Sequence, residues 1–422
     1  MAREEWIQQE SIPFAMDATL NAAIDRVMAR EPIDLLGLGE PLHGGEDFLM
    51  LRNRIFQRLV EAHGFSAIAV ESSFPKGHLI NDYVAGRGSD SYEAIKDAGF
   101  SHGFGQLEAN RELVEWMRTY NATHPVQLQF YGFDSPTEMM GTDSPRQVLA
   151  FVLDYLTSVD ERSGQMYRQQ IEPLLGQDAA WENPAAMMDP TQAIGLSPEA
   201  TALRIETEDL ISELQARRPE LVAKSDSIRY REALQYAAEA RQLLNYHAEL
   251  ARASEQRTAR LLGMRDAMMA DNVAYIVERE RRRGKVFLFA HNSHLKRSKV
   301  EWQRGPDLLT WWPVGAQLSE MFGSRYVIIG SALGVSAENG IGQPEAGTLE
   351  ALLTATPGPG RFFPTAGHSK TEIAALPVRS GSTVNFSYFP LTPQSFTDFD
   401  WFVALDSTGY QRGGPPLPTA NT

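Results

Sequence analysis

The sequence predicts an α/β protein: a largely parallel central sheet flanked by helices, with a helical insertion over the carboxyl ends of the strands. Three observations lead there. Short, nearly continuous apolar runs of strand-like composition recur along the 422 residues. Amphipathic segments at helical spacing separate several of them, and that alternation indicates parallel strands buried on both faces. A long helix-rich stretch then divides the third run from the fourth.

In chain order the strands are expected at Ile33–Leu38, Ser66–Val70, Val126–Tyr131, Lys285–Ala290, Tyr326–Ile329 and Trp401–Leu405. Polar residues stand just beyond four of them: Glu40, Glu71, Asp134 and His291. Open α/β sheets bind ligands at the carboxyl ends of their strands, so this placement is informative. Residues 1–143 are expected to form the N-terminal part of the α/β core, 144–284 the helical insertion and 285–412 the C-terminal part of the core. The Gly- and Pro-rich residues 413–422 are expected to be a disordered tail. Inside the insertion, Leu203, Leu210 and Leu214 keep helical spacing. The stretch from Gln177 to Pro190 breaks it with Pro184 and Pro190 and carries Trp181, Met187 and Met188. It reads either as a lid or as a plain surface connection.

Composition narrows the classes. With 43% hydrophobic and 22% charged residues the chain has material for a sizeable core, arranged as one elaborated domain or two. A net charge of −15 makes DNA, RNA and anionic membranes poor partners. The basic run Arg279 to Lys285 fits a helix C-terminus, where cations favour the dipole. Cysteine is absent, which excludes disulfides, thiolate nucleophiles and cysteine-ligated zinc. No run approaches the ~18–20 apolar residues of a membrane span, and Met1 to Trp6 show no signal-peptide core, so the expected location is cytoplasmic. Oligomeric state is not set by the sequence.

The chemistry concentrates where the strands end. The first runs into Gly39-Glu40-Pro41-Leu42-His43-Gly44-Gly45-Glu46, and a helix through Arg52 and Arg54 follows. Glycines permit a tight strand-to-helix turn and close backbone approach. That turn presents Glu40 and His43 together; a neutral histidine can take a proton from water, and a nearby carboxylate can hold its tautomer. The alternative is a structural turn with a satisfied histidine. Glu71 follows a buried strand and must be paired or functional, because burying a lone carboxylate is costly. The fourth strand ends in His291-Asn292-Ser293-His294, whose histidines are either site residues or caps of the next segment. No Gly-x-Ser-x-Gly elbow, Walker loop, Gly-x-Gly-x-x-Gly fingerprint or His-Glu-x-x-His helix occurs. Attack by activated water is therefore favoured over a covalent acyl-enzyme.

Several motifs in order resemble the erythromycin esterase family: Gly39 to Gly44, Arg52 nine residues after His43, Val70-Glu71-Ser72, Tyr131 to Asp134, Arg265-Asp266 with Met269, and Ala290 to His294. The order agrees from about residue 32 to 330, and the strand at 399–406 fits the family's ending. The resemblance implies an α/β fold with helical additions, a deep cleft, and His43 as general base for water attacking an ester carbonyl. It also implies that Glu40, Arg52, Glu71, Arg265, His291 and His294 serve activity or substrate binding. The expected function is hydrolysis of a macrolactone or related polyketide ester. Glu40 or Glu71 is expected to orient the base, and Arg52, Arg265, His291, His294 and Asp134 to line the substrate site. The same base could instead eliminate an acyloxy group in a biosynthetic tailoring step, and a non-catalytic ligand-binding protein is the second alternative. No cofactor is expected. Glu40, His43, Glu71, His291 and His294 offer metal ligands, but their spacing matches no standard metal site.

Overall fold

The computed structural model describes residues 9–29, 33–138, 141–356, 358–366 and 376–410. The expected tail at 413–422 lies outside them. The strands that matter are β1 (Ile12–Phe14), β2 (Leu35–Glu40), β3 (Phe65–Ser73), β4 (Gln129–Asp134) and β5 (Lys285–His291). They continue with β6 (Val300–Arg304), β7 (Asp307–Trp311), β8 (Tyr326–Val335), β9 (Gly360–Pro364) and β10 (Trp401–Ser407). Eight form one sheet in the order β1-β9-β10-β8-β2-β5-β3-β4. The run from β10 to β4 is parallel throughout. β9 and β1 add an antiparallel edge, and β6 and β7 form a separate hairpin.

All six expected strands are present, in a fold of the expected class. The third begins three residues late, because Val126 is exposed and Gln129 is the first residue to pair, with Ala67. The edge strands β1 and β9 were not anticipated. They are three and five residues long, too short to show a period of their own.

Side chains alternate across the sheet, so neighbouring residues enter different cores. Leu35, Ala67 and Leu288 join one apolar cluster, and Leu36, Ile68 and Phe287 join the other. The second face is covered by α1 (Glu46–His63) and its neighbours through Leu49, Phe56 and Leu59. The first is covered from the stretch between β4 and β5, which contains α2 (Arg146–Val159), α3 (Glu161–Leu175), α4 (Pro198–Ala216), α5 (Ser227–Leu250) and α6 (Arg257–Glu280). α6 is the crossover helix that returns the chain to the sheet. Its end at Glu280 accepts from Ser66 and Tyr131 at 2.8 and 2.7 Å. Arg265 and Asp266, nearer its start, reach the opposite end, where the strands terminate.

The Gln177-to-Pro190 connection is made of short ordered turns. Trp181 is buried and donates to Leu175 O at 2.6 Å, while Arg257 donates to the carbonyls of Met187 and Ala186. Among the described residues no helix is long and apolar enough to cross a membrane.

Candidate active site

Sheet order assembles the site. The neighbours β2, β5 and β4 end in Glu40, His291 and Asp134, and β3 carries Glu71 two residues before its end, so four residues scattered over the sequence lie side by side on one edge. Glu40 is directly paired with His291. A register irregularity between Val70 and Ser73 lies at Glu71, the kind of local kink that re-aims a side chain.

The turn after β2 brings in His43. Gly44 takes φ +76°, a backbone that favours glycine. Gly39 is required for another reason: a Cβ there would fall 2.1 Å from Asn292 Oδ1. Asn292 in turn bridges to Ser331 of β8 through two hydrogen bonds of 2.8 and 3.0 Å, which locks β5 to β8 across β2. The His43 amide donates to Ser387 Oγ at 3.1 Å, so a C-terminal segment holds the turn as well.

His43 Nδ1 lies 2.7 Å from Glu40 Oε1. Its Nε2 makes no hydrogen bond among the described residues and sits 3.9 Å from Glu71 Oε1. His43 keeps 23% of its side-chain surface accessible, against 3% for Glu40 and 4% for Glu71. The ring is thus reachable by a small molecule although protein surrounds it deeply. Burial opposes its charge, but Glu71 and Glu40 outweigh burial and raise the imidazole above its ordinary pKa of 6.5. Burial raises the Glu40 carboxyl despite its bond to His43, and its Oε2 has no hydrogen-bond partner among the described residues. The proton between these two groups belongs to the pair.

Glu71 is the best-supported carboxylate. Its Oε2 accepts the His291 amide at 2.8 Å; Arg265 Nη2 and His294 Nε2 approach Oε1 at 3.3 and 3.2 Å. Burial alone would raise it, yet His294, His43 and Arg265 hold it well below the usual carboxylate range. Arg265 also makes a two-pronged pair with Asp134, at 2.9 and 2.5 Å. Against burial, Arg265 and His102 keep the Asp134 carboxyl below its ordinary value. Asp134 therefore anchors Arg265 at the floor of the site.

The three histidines of the site differ sharply. His291 Nδ1 accepts from the Ser293 amide at 3.1 Å, which makes it the cap of the short helix α7 (Asn292–Leu295), and it lies 2.6 Å from Ser293 Oγ. Its Nε2 faces Pro41 O at 3.2 Å, so that nitrogen carries the hydrogen. Burial and nearby His43 push it down to about 3, and it stands as a neutral ring edge-on to His43. Both of its nitrogens are committed, which matches the capping alternative rather than a group free to bind substrate. His294 is tied at Nδ1 to Asp266 and at Nε2 to Glu71. Arg52 lies beneath Glu40 without bonding to it. It contacts Asn53 Oδ1 at 3.1 and 2.7 Å and packs over the Phe289 ring at 4.9 Å. Burial lowers it to about 10. It is 1% exposed, as deeply buried as Asp134 and Glu71.

Three residues outside the expected set join this network. His102 donates to Asp134 Oδ2 at 2.8 Å from the one non-glycine backbone with positive φ among the described residues, +57°. Such a backbone is uncommon for histidine and gathers at functional turns. Asp266 and Trp311 form the other support, linked at 2.6 Å. Asp266 stands in the Arg265-Asp266 motif, so its neighbour was a signal; nothing near Trp311 marks it. Phe104 stands 5.6 Å from the His43 ring and Phe389 5.3 Å from the His291 ring. Among the described residues no three His, Asp or Glu side chains form a set that could hold a metal ion.

Fold and edge together define an α/β protein with a buried histidine–carboxylate centre at the ends of its parallel strands. The erythromycin esterase family model matches residues 60–408. The chain belongs to the erythromycin esterase family. The matched span begins after Glu40 and His43, so those two rest on the geometry just described. The chain is 24% identical to erythromycin esterase type II of Escherichia coli, over 78% of this chain and 77% of that protein. It is 22% identical to erythromycin esterase type I of Escherichia coli, over 69% and 68%. Among solved structures, a protein from Bacillus cereus superposes with a TM-score of 0.76 at 17% identity, covering 99% of this chain and 98% of that one. A mutant of erythromycin esterase EreC in its open conformation superposes at 0.66 and 21%, covering 94% of both. At these identities the structural matches speak for the fold.

Proposed function

We propose that the protein hydrolyses a carboxylic ester, a macrolactone or related polyketide ester, with water activated by His43. One observation carries this reading: of His43, His291 and His294, only His43 has a ring nitrogen without a polar partner at hydrogen-bond distance among the described residues, and it has the largest exposed surface of the three. Family membership and the two esterase relatives support the ester class.

In this mechanism Glu40 holds Nδ1–H, leaving the Nε2 lone pair towards the cleft. A water between Nε2 and Glu71 Oε1 gives its proton to Nε2 as its oxygen attacks the carbonyl carbon. The tetrahedral intermediate expels the alkoxide, which takes the proton back from Nε2–H, so acid and alcohol leave and His43 is neutral again. Arg265 keeps Nη1, which makes no hydrogen bond among the described residues, for the developing oxyanion. Asp134 and Glu71 hold that guanidinium in place before substrate arrives.

Incubating the purified protein with a panel of macrolides and polyketide lactones tests the reading by mass spectrometry. Gain of one water is the expected result. Loss of a carboxylic acid with a new alkene would mean elimination, and recovery of every ligand unchanged would mean binding alone; either overturns it. His43→Gln should lower turnover by at least ~10²-fold, the scale of a lost general base, with an unchanged melting curve.

A further inference from the structure

Glu71 is 3% exposed. To strengthen His43 as a base it must stay ionised and stay turned towards Nε2. Its nearest cationic neighbour is His294, whose surroundings are unusual. Nδ1 lies 2.5 Å from Asp266 Oδ1, and Nε2 lies 3.2 Å from Glu71 Oε1. Each contact sets a carboxylate oxygen against a ring nitrogen. A neutral tautomer would point one nitrogen lone pair at an oxygen lone pair, so both nitrogens must carry hydrogen. Asp266 is itself fixed: it is fully buried, and its second oxygen accepts the Trp311 indole N–H at 2.6 Å. Trp311 belongs to the β6–β7 hairpin, Asp266 to α6, His294 to α7 and Glu71 to β3.

We infer that Asp266 and Trp311 are positioning residues for the hydrolysis proposed above: they hold His294 as a fixed imidazolium, and that imidazolium pins Glu71 against His43. The inference rests on that reading of the reaction. The charged and titratable groups around His294 are Asp266 and Arg265 from α6, Glu71 from β3, His43 from the turn after β2, and His291 at the end of its own strand. The two carboxylates outweigh burial and push the His294 imidazole up to about 10. A histidine in this state cannot accept a proton at neutral pH, so its service is electrostatic. The arrangement inverts a catalytic triad: the central histidine is the clamp, and the outer carboxylate faces the base.

Two measurements on the full chain test this. The first needs no substrate: ¹⁵N NMR of histidine-labelled protein, with the His294 signal assigned by its loss in His294→Asn. At pH 8 the wild type should show His294 protonated on both nitrogens, and Asp266→Asn should weaken that signal and lose it by pH 9. A neutral wild-type His294 at pH 8, or an imidazolium that survives at pH 9 in Asp266→Asn, overturns the clamp whether or not any ester is turned over. The second is the pH profile on an ester the wild type hydrolyses. Asp266→Asn should lower kcat about 10–100-fold, the scale of one charge-assisted hydrogen bond, with KM within about twofold. It should also introduce an alkaline limb between pH 7 and 9, because His294 now loses its proton there and Glu71 loses its partner. A merely structural role would lower the melting temperature without adding that limb. Trp311→Phe keeps most of the ring and removes only the N–H, so it probes the same link where Asp266→Asn fails to fold. It should shift the His294 titration and the alkaline limb the same way by a smaller amount, and an unchanged titration and profile would remove Trp311 from the clamp.

Discussion

At the scale of the residue, the protein separates three histidines by what touches their nitrogens. His291 is neutral because a helix cap and a backbone carbonyl use both of its nitrogens. His294 is charged because carboxylates flank it on both sides. His43 lies between these extremes, with one nitrogen held and one open. This ordering sets the pH dependence. In the proposed mechanism His43 must be neutral to act, and Glu71 and Glu40 favour its charged form, which raises its folded pKa above 6.5. We expect kcat/KM to rise with pH through a midpoint above 6.5 and to be largely lost below it. Glu40→Gln should lower that midpoint, since one of the two carboxylates is gone. A pH–rate series on a hydrolysed ester checks both, and a wild-type midpoint below 6.5 would contradict the assignment of His43. Glu40 and His43 were legible in the sequence, because they stand three apart in one glycine-flanked turn. The charge states were not, since Glu71 meets the His291 amide across 220 residues of chain and Arg265 meets Asp134 across 131.

Elements place these groups through backbone contacts that leave no room for change. Gly39 lets the end of β2 pass beneath Asn292, so Gly39→Ala would force a shift in the Asn292 bridge to Ser331. Overpacking of that kind costs about 1–3 kcal/mol, and chemical denaturation should show a loss in this range. α5 carries a different signature. Glu239 is fully buried, and burial raises it to about 8 against the opposing contact with Asn272, with Asp134 and Asp271 adding to the rise. A carboxyl with a raised folded pKa holds its proton longer folded than unfolded, so stability falls as pH climbs from about 4.5 towards 8. Glu239→Gln mimics the protonated form. It should match the wild type at pH 5 and exceed it at pH 8 by about 1–3 kcal/mol, the scale of desolvating a buried polar group. Equal stability gains at both pH values would show that Glu239 does not titrate in this range. The helical pattern of the segment was legible in the sequence, while the burial of Glu239 came only from the packing of α5 on α6.

For the whole molecule, the sheet divides the protein into two cores and leaves the chemistry on its edge. Cysteine is absent from the chain, Ser293 Oγ bonds the His291 ring rather than His43, and Ser387 Oγ meets His43 only at its backbone amide. Turnover by activated water should therefore leave the chain unmodified. Intact-protein mass spectrometry after rapid quench, within one turnover, should find the acylated fraction near zero. A substrate-sized adduct that forms and decays as fast as turnover would replace activated water with a protein nucleophile. The antiparallel edge of β9 and β1 extends the sheet away from the site.

The sequence by itself determined the order of the six parallel strands, because burial on both faces imposes near-continuous apolar runs that can be seen without a partner. It also located the polar residues at the strand ends, and it carried family motifs in order. Only the tertiary structure decided which of those residues are neighbours, since strand order follows packing and β5 inserts between β2 and β3 from more than 200 residues away. It likewise decided that Arg52 is buried against Asn53 and Phe289, that His291 is a cap, and that Asp266 and Trp311 stand behind His294. Protonation and exposure depend on the dielectric surroundings and on charges a few ångströms away, and chain separation carries no measure of either.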